Sequence, residues 1–531
     1  MVLKVSYLRK AAIAAGSGVL LALAFPRFEL FYLVFVALVP LFFALRGEKG
    51  IRAFGLGFVT GFVFYLISLF WITEALSNYS ALDLWSSVLI LLLLVAYLAA
   101  LVGVFANVVS LCSLEGLGAI LVPMFWVALE FTKAKLFSGF PWNDLSWALY
   151  RQTTLIQIAD TLGCYGVSFG IVLVNWLVFL ILTRLLKLRV EHGWKRLLAA
   201  IAAVFVFAWG YGSVRLLSLS PSPTSPTSIK VGIIQPNITQ AMKLSGRFTR
   251  EMLRTYEQQA AELRDKGVDV VVLPEAAIDD PYNVRADFQE WVKRTFSDPG
   301  SPGSHKRAGC TVLFGALATE NGQYMNSAFV VDPAGRTHRY DKVHLVPFGE
   351  YVPFSWLLSF VEAIAGYQGS LTEGTILSVL PLGDLTVGVP ICYEIIFPEI
   401  SREFVNKGAD LICTLSNDAW FGETSGPYQH FSATVFRAIE NRVPVLRCAN
   451  SGVSGLVDAT GRIRLETPIY ARRTDVVEVQ IAKQTSVFRE VGELFAYLCF
   501  VGSILVGVKG ARRTGPTSRQ PLGRRVFGLA A

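Results

Sequence analysis

Long apolar runs fill the first 220 or so residues, and the pattern then changes. Seven runs stand out: Ala11–Phe25, Phe28–Leu45, Phe54–Ile72, Trp85–Leu111, Leu117–Phe131, Tyr165–Leu186 and Leu197–Val214. Most approach the roughly 20 residues that carry a helix across a bilayer. The first and fifth are short, bounded or interrupted by Pro26 and Pro123. The first also resembles a signal peptide, with Lys4, Arg9 and Lys10 ahead of its apolar core, but a second apolar segment follows almost at once. That favours an uncleaved hairpin. The uncharged segment Ser218–Ser228, SLSPSPTSPTS, reads as a linker.

From Ile229 to about Arg489, short β-branched runs alternate with charged stretches. Strands are predicted over Ile229–Gln235, Val268–Leu273, Thr311–Ala318, Ala328–Val331, Leu385–Ile391, Asp410–Leu415, Val443–Arg447, Gly455–Asp458 and Val476–Ile481. Helices are predicted over Thr249–Lys266 and Gln429–Asn441. Such alternation means sheets covered by helices. A last apolar run, Gly492–Val508, precedes a basic tail. The expected organisation is a membrane domain (1–217), a linker (218–228), an α/β domain (229–487), a final span (488–510) and a tail (511–531).

Composition agrees with a membrane protein. Of 531 residues, 53% are hydrophobic and 17% charged, against about 25% charged in soluble domains. A mean hydropathy of +0.49 excludes disorder. The net charge of +8 sits beside the apolar runs rather than in one patch, which argues against nucleic acid and bears instead on topology. Basic residues flanking spans stay cytoplasmic. They cluster before the first span, at Arg46, Lys49 and Arg52, between Arg184 and Arg196, and after the last span; Thr73–Leu84 has none. Eight spans with both termini cytoplasmic fit this pattern and place the α/β domain outside the cytoplasm. Lys133, Lys135 and Arg151 then fall on the outer side, against the rule. Seven scattered cysteines without a CxxC pair give neither a disulfide framework nor a zinc site.

Three reactive residues follow apolar strands, the strand ends where α/β domains bind ligands. They are Glu275 in VDVVVLPEAAI, Lys342 in RYDKVHLVPFGEYVPF and Cys392 in LTVGVPICYEIIFPE. A cysteine at a helix N-terminus near a cation is poised as thiolate, though most free cysteines are buried small hydrophobes. Glu275 can exchange the thiol proton or merely cap a helix. Lys342 can stabilise thiolate and oxyanion or lie on the surface. Glu350 and Glu394 either orient Lys342 and substrate or are structural. His344 and His430 look isolated, so no metal is expected.

Glutamate, lysine and cysteine in this order, in these contexts, resemble the nitrilase superfamily, whose fold is an αββα sandwich. The match covers about Ile229–Ile481. GFPW at Gly139–Trp142, PFGEYVPF at Pro347–Phe354, NDAWFG followed by GPYQH between Asn417 and His430, and RAIENRVPVLRCANSGVSG from Arg437 narrow it further. With seven spans before and one after, nearly the whole chain resembles the bacterial apolipoprotein N-acyltransferase family. One departure is EAAI, where that family often has E-T-[AS]; Glu275 itself is retained.

The resemblance implies a multi-span α-helical domain joined to an αββα sandwich in the bacterial inner membrane, the sandwich on the periplasmic side. It implies an sn-1 acyl chain moving from a phospholipid onto Cys392 and then to the α-amine of an S-diacylglyceryl-cysteine on an apolipoprotein. Glu275 would be the base and acid, Lys342 the oxyanion support, and no cofactor is needed. Glu350, Tyr393, Glu394, Trp142, Trp356 and Trp420 are expected to support or position. The apolar stretches Phe354–Tyr367 and Ala419–Gly422 are candidates for a lipid-facing lid, or for core. Trp142 lines a lipid entrance or simply packs. A monomer is expected. A tethered amidohydrolase would keep the same triad; a transporter or a scaffold would leave it unexplained.

Overall fold

The computed structural model describes residues 6–79, 83–111, 118–186, 194–219, 227–239, 242–243, 249–297, 309–352, 371–481 and 484–513. Helices dominate up to Ser218. Five of those described are long and apolar enough to cross a membrane: Tyr7–Ala24, Ile51–Ser68, Leu84–Leu111, Ala159–Leu185 and Trp194–Ser218. Glycines let three of them close on one another. A Cβ on Gly18 would meet the Thr60 carbonyl at 2.5 Å, and one on Gly57 would meet the Val102 carbonyl at 2.5 Å.

Two of the predicted spans take other forms. Phe28–Leu45 divides into a 3-10 turn, Phe31–Phe35, and a short helix, Val39–Leu45. Pro40 has no N–H to continue a helix from upstream, so it sits in the first turn of the second piece. The fifth run lies in a helix, Gly118–Lys135, that continues past the apolar stretch and buries Glu130 and Lys133. Lys133 Nζ is 2.8 Å from Asp144 Oδ1, and Glu130 Oε1 accepts from Trp126 Nε1 at 2.9 Å and Leu145 N–H at 2.8 Å. The other residues that break the charge rule are paired too. Lys135 reaches Glu399 and Glu493 at 2.5 and 2.7 Å, and Arg151 reaches Glu466 at 2.7 Å.

The strands form two sheets. The first uses β1 (Thr227–Gln235), β2 (Val270–Val272), β3 (Ile278–Pro281), β4 (Thr311–Glu320), β5 (Gln323–Val331) and β6 (Thr337–Asp341). The second uses β7 (Leu380–Leu382), β8 (Leu385–Gly388), β9 (Leu411–Ser416), β10 (Val445–Ala449), β11 (Gly455–Val457) and β12 (Ile463–Glu466). The last strand, β13 (Arg473–Ile481), returns to pair antiparallel with β1. The sheet orders are β13-β1-β2-β4-β5-β6, with β3 beside β4, and β12-β11-β10-β9-β8-β7.

Alternate residues face opposite sides of a strand, and burial follows that period. Val231, Ile233, Val270, Val272 and Leu313 share a core with Val387, Leu411 and Leu446 of the other sheet. Val271, Leu273, Val312 and Phe314 point the other way, packing with Tyr256, Leu263 and Trp291 of the covering helices Thr249–Leu263 and Ala286–Val292. The result is an αββα sandwich.

The helix Gly426–Asn441 ties the sandwich to the membrane helices. Gln429 Oε1 accepts from Trp71 and Trp142 Nε1 at 3.1 and 2.9 Å, while its Nε2 donates to the carbonyls of Pro26 and Ser68 at 3.2 and 3.0 Å. At the other end Arg442, in the left-handed conformation with φ 56°, pairs with Asp160 Oδ2 at 2.6 Å.

Candidate active site

Glu275, Lys342 and Cys392 follow β2, β6 and β8, so the topology brings together three residues scattered over 117 positions (392 − 275). The chain leaves β2 in a tight turn in which Ala276 has φ 48°. Gly315 of β4 lies against that turn. A Cβ there would stand 2.6 Å from Glu275 Cα and 2.8 Å from Ala276 N, backbone atoms that cannot yield.

Glu275 is buried at 7% exposure, with every oxygen engaged. Oε1 accepts from Asn326 Nδ2 and Oε2 from the Asn417 N–H, both at 2.8 Å. Lys342 is 1% exposed; its Nζ lies 2.8 Å from Glu350 Oε2 and 3.6 Å from Glu275 Oε1. Asn326 also donates to Glu350 Oε1 at 2.8 Å, which spaces the two carboxylates around one ammonium. Burial pulls the Lys342 ammonium down, but Glu350 and Glu275 outweigh it and hold it above the ordinary lysine value.

Cys392 lies at a helix N-terminus, as expected, but the helix is a single short turn. The turn Cys392–Ile396 is a 3-10 segment, with the helix Pro398–Asn406 beyond it. One turn of helix carries little dipole, so the thiol depends on side chains. Cys392 itself has φ 53°, a strained value for a residue with a Cβ. Burial pushes its thiol well up, Glu275 adds to the push, and Lys342 opposes it. The resting group is therefore a thiol between a carboxylate and an ammonium. Such an arrangement can pass a proton, form a thioester and steady an oxyanion.

Glu394 braces the elbow from behind. Fully buried, it accepts at Oε1 from Tyr340 Oη, Val343 N–H and His344 N–H at 2.9, 2.7 and 3.0 Å, and at Oε2 from Ile391 N–H at 2.7 Å. Burial pushes its carboxyl up to about 7 although these donors favour the charged form. Every partner donates, so an amide would set N–H against N–H. Glu394→Gln is expected to cost about 1–3 kcal/mol, the penalty of an orphaned buried group, read as a lower unfolding midpoint in detergent.

The remaining expected positions fall at the seam. Tyr393 Oη donates to the Gly139 carbonyl at 3.0 Å. Trp142, 1% exposed, packs on Trp71 and His430 with ring centroids 5.1 and 5.4 Å apart, which favours packing over an open entrance. Trp420 is half-buried in the turn Asp418–Phe421, whose Phe421 lies 4.5 Å from the Trp71 ring. Trp356 and the candidate lid Phe354–Tyr367 lie outside the described residues.

His430 is not isolated. Its Nε2 is 3.0 Å from the Cys392 carbonyl and its Nδ1 is 3.0 Å from Asp418 Oδ1. Cys392, Asp418 and His430 offer ligand atoms within 4.8 Å of one another. However, Arg447 Nη2 stands 2.7 Å from Asp418 Oδ2 and 3.0 Å from His430 Nδ1, a fixed cation where a metal ion would sit. The donor set therefore fits an internal network better than a metal. Sequence reasoning gave no role to Asn326, Ser416, Asp418 or Arg447. Asn326, Ser416 and Arg447 are polar residues inside strongly apolar strands, and Asp418 and Arg447 lie in the motifs NDAWFG and RAIENRVPVLRCANSGVSG without a role of their own.

The chain is similar to proteins of known families. Residues 17–177 match the apolipoprotein N-acyltransferase N-terminal domain, and residues 228–487 match the carbon-nitrogen hydrolase family. The chain is 36% identical to an apolipoprotein N-acyltransferase of Geobacter metallireducens, covering 94% of this chain and 95% of that one. It is 32% identical to one from Allorhizobium ampelinum over 86% and 87% of the two chains. A mutant amidase of the nitrilase superfamily from Nesterenkonia AN1 aligns with 51% of this chain and 96% of its own, at 17% identity and a TM-score of 0.37. Since its relatives align across both the membrane helices and the sandwich, the chain belongs to the apolipoprotein N-acyltransferase family of membrane acyltransferases.

Proposed function

We propose that Cys392 carries the acyl chain as a thioester between two substrates. Glu275 takes the thiol proton as Sγ attacks the sn-1 ester carbonyl of a phospholipid. Lys342 faces the oxyanion. The ester C–O bond then breaks, Glu275 returns the proton to the departing oxygen, and a lysophospholipid leaves. In the second half, Glu275 accepts a proton from the α-amine of the diacylglyceryl-cysteine. An amide forms, and the Cys392 thiolate departs and is reprotonated.

The observation that carries this reading is the Cys392 thiol, in a partly buried residue, flanked by a buried Glu275–Lys342 pair. Glu350 and Glu394 are positioning residues here, Glu350 for Lys342 and Glu394 for the elbow. Tyr393 and Trp142 join the elbow to the membrane helices, and Trp420 belongs to the lipid-facing side. The organisation that fits is a helical domain to about residue 217, a periplasmic sandwich over 229–487, and a last span with both termini cytoplasmic. Lys133, Lys135 and Arg151 remain exceptions to the positive-inside pattern in this orientation, each held in an ion pair.

The test supplies purified protein with phospholipid labelled in either acyl chain and a peptide bearing an N-terminal S-diacylglyceryl-cysteine. Label from the sn-1 chain is expected on the peptide amine, with none from sn-2. Label released only as free fatty acid, or turnover of small amides without peptide labelling, would overturn acyl transfer in favour of hydrolysis.

A further inference from the structure

The proposed mechanism uses Glu275 and Lys342, yet Cys392 meets a second charged assembly on another side. Ser416 and Asp418 come from the end of β9, His430 from the helix Gly426–Asn441, and Arg447 from β10. All four are 0% exposed. A Cβ on Gly452 would lie 2.1 Å from Asp418 Oδ2, so a glycine is needed for the carboxylate to fit.

Ser416 is the member that reaches the sulfur. Its Oγ is 3.5 Å from Cys392 Sγ, 2.6 Å from Asp418 Oδ1 and 3.0 Å from Arg447 Nη2. Arg447 can only donate, so it occupies a lone pair of the hydroxyl. The hydroxyl proton then has two acceptors and can serve one at a time. With a neutral thiol, the carboxylate is the stronger acceptor and takes it. Once Sγ is a thiolate, the balance changes, because hydrogen bonds to charged acceptors are about twice as strong as neutral ones.

We infer that Ser416 is a further catalytic residue, a hydroxyl that turns from Asp418 to Cys392 Sγ when the thiolate forms and turns back when the thioester forms. No heavy atom moves and no bond of Ser416 breaks. The S–H bond of Cys392 breaks towards Glu275, the Ser416 O–H rotates about its C–O bond, and the S–C bond then forms. Asp418 stays paired with Arg447 through Oδ2 at 2.7 Å while the hydroxyl is away. His430 donates from Nε2 to the Cys392 carbonyl and pins the strained elbow. Arg447, Asp418 and His430 are thus positioning residues acting through Ser416 and the Cys392 backbone.

A thioester sulfur accepts hydrogen bonds poorly, so this contact favours the thiolate over the acylated state. Only such differential contacts speed a step, and here both the attack and the later expulsion of thiolate gain. The groups facing the thiol are Glu275, Lys342, Asp418 and Ser416. After burial, Glu275 and Asp418 push it up, while Lys342 and the Ser416 hydroxyl pull it down.

The inference rests on Cys392 being the acyl carrier, and the experiment separates the two. Full-length protein in detergent is alkylated with iodoacetamide at fixed pH between about 7 and 9, where the fold is intact, and the Cys392 peptide is quantified by mass spectrometry. Ser416→Ala is expected to slow alkylation of Cys392 roughly tenfold, the loss of thiolate that follows from raising the thiol by about one unit. Ser416→Thr keeps the hydroxyl and the native rate. Ser416→Gly also lacks the hydroxyl and repeats the slowing. Folded Ser416→Ala or Ser416→Gly alkylated at the native rate overturns the inference. Acyl labelling of the native protein is scored separately. Its absence beside slowed alkylation overturns the carrier role and leaves the hydroxyl switch standing.

Discussion

Cys392→Ala is expected to abolish covalent acyl labelling altogether. Protein given sn-1-labelled phospholipid without acceptor accumulates label that neutral hydroxylamine removes, the signature of a thioester. The alanine variant carries none. The five other described cysteines cannot substitute. Cys413 and Cys448 are enclosed between the sheets, their thiols pushed up by burial. Cys164 and Cys499 are buried among helices, and Cys310 lies on the far side of the first sheet, packed with Phe296. Residual label in the alanine variant at the native level would sink the thioester route. Replacing a small thiol by a methyl group leaves the backbone and its partners in place, so unfolding would not account for the loss.

Lys342→Met is expected to cost both activity and stability. The ammonium is enclosed, with Glu350 at 2.8 Å and Glu275 at 3.6 Å. Deleting one partner of a buried ion pair commonly costs about 3–5 kcal/mol, because the remaining charge stays buried and unpaired. Acyl loading should also fall by at least about 10²-fold, the scale of losing one oxyanion donor. The double variant Lys342→Met, Glu350→Met separates the effects: part of the stability returns, but the activity does not. The pH dependence has a definite sign. A lysine held above its ordinary value contributes stability that is fully present below about pH 10.4 and lost as pH rises beyond. Alkaline unfolding of the native protein should therefore contain a component that Lys342→Met lacks. An unchanged alkaline limb and an unchanged unfolding midpoint would contradict the buried pair.

The sandwich was legible where strands are apolar on both faces. The run VDVVVL announced β2, and LICTLS announced β9, because parallel strands buried on both sides need no alternation. Of the edge strands only β13 was legible, through Val476–Ile481. β6 is THRYD and β12 is IRLE, polar strands at the sheet margins whose pairing partner is the only reason they are extended. β3, IDDP, forms because it lies beside β4 after the Glu275 turn.

The site divides in the same way. Glu275 and Cys392 stand out because each follows an apolar strand, β2 and β8, whereas Lys342 follows the polar β6 and stands out by its motif DKVHLVPFGEYVPF. Ser416, Asp418, His430 and Arg447 do not, since proximity over a separation of 31 positions depends on β9 and β10 lying side by side. Membrane helices posed the opposite difficulty. Hydropathy reads a run through Phe28–Leu45 without seeing that Pro40 restarts it, and it stops at Phe131 although the helix carries its paired charges on to Lys135.

The Gln429 amide has a consequence for how the chain is made. It binds two indoles and two carbonyls contributed by Pro26, Ser68, Trp71 and Trp142, and the nearest of these in sequence precedes it by 287 residues. At about 5–20 residues per second of synthesis, roughly 15–60 s separate Trp142 from its partner. During that interval the early helices are already in the bilayer, but the groups that will fasten them are unmet. Assembly is therefore a latch that closes late: the ribosome must finish most of the sandwich before the helical part reaches its final arrangement.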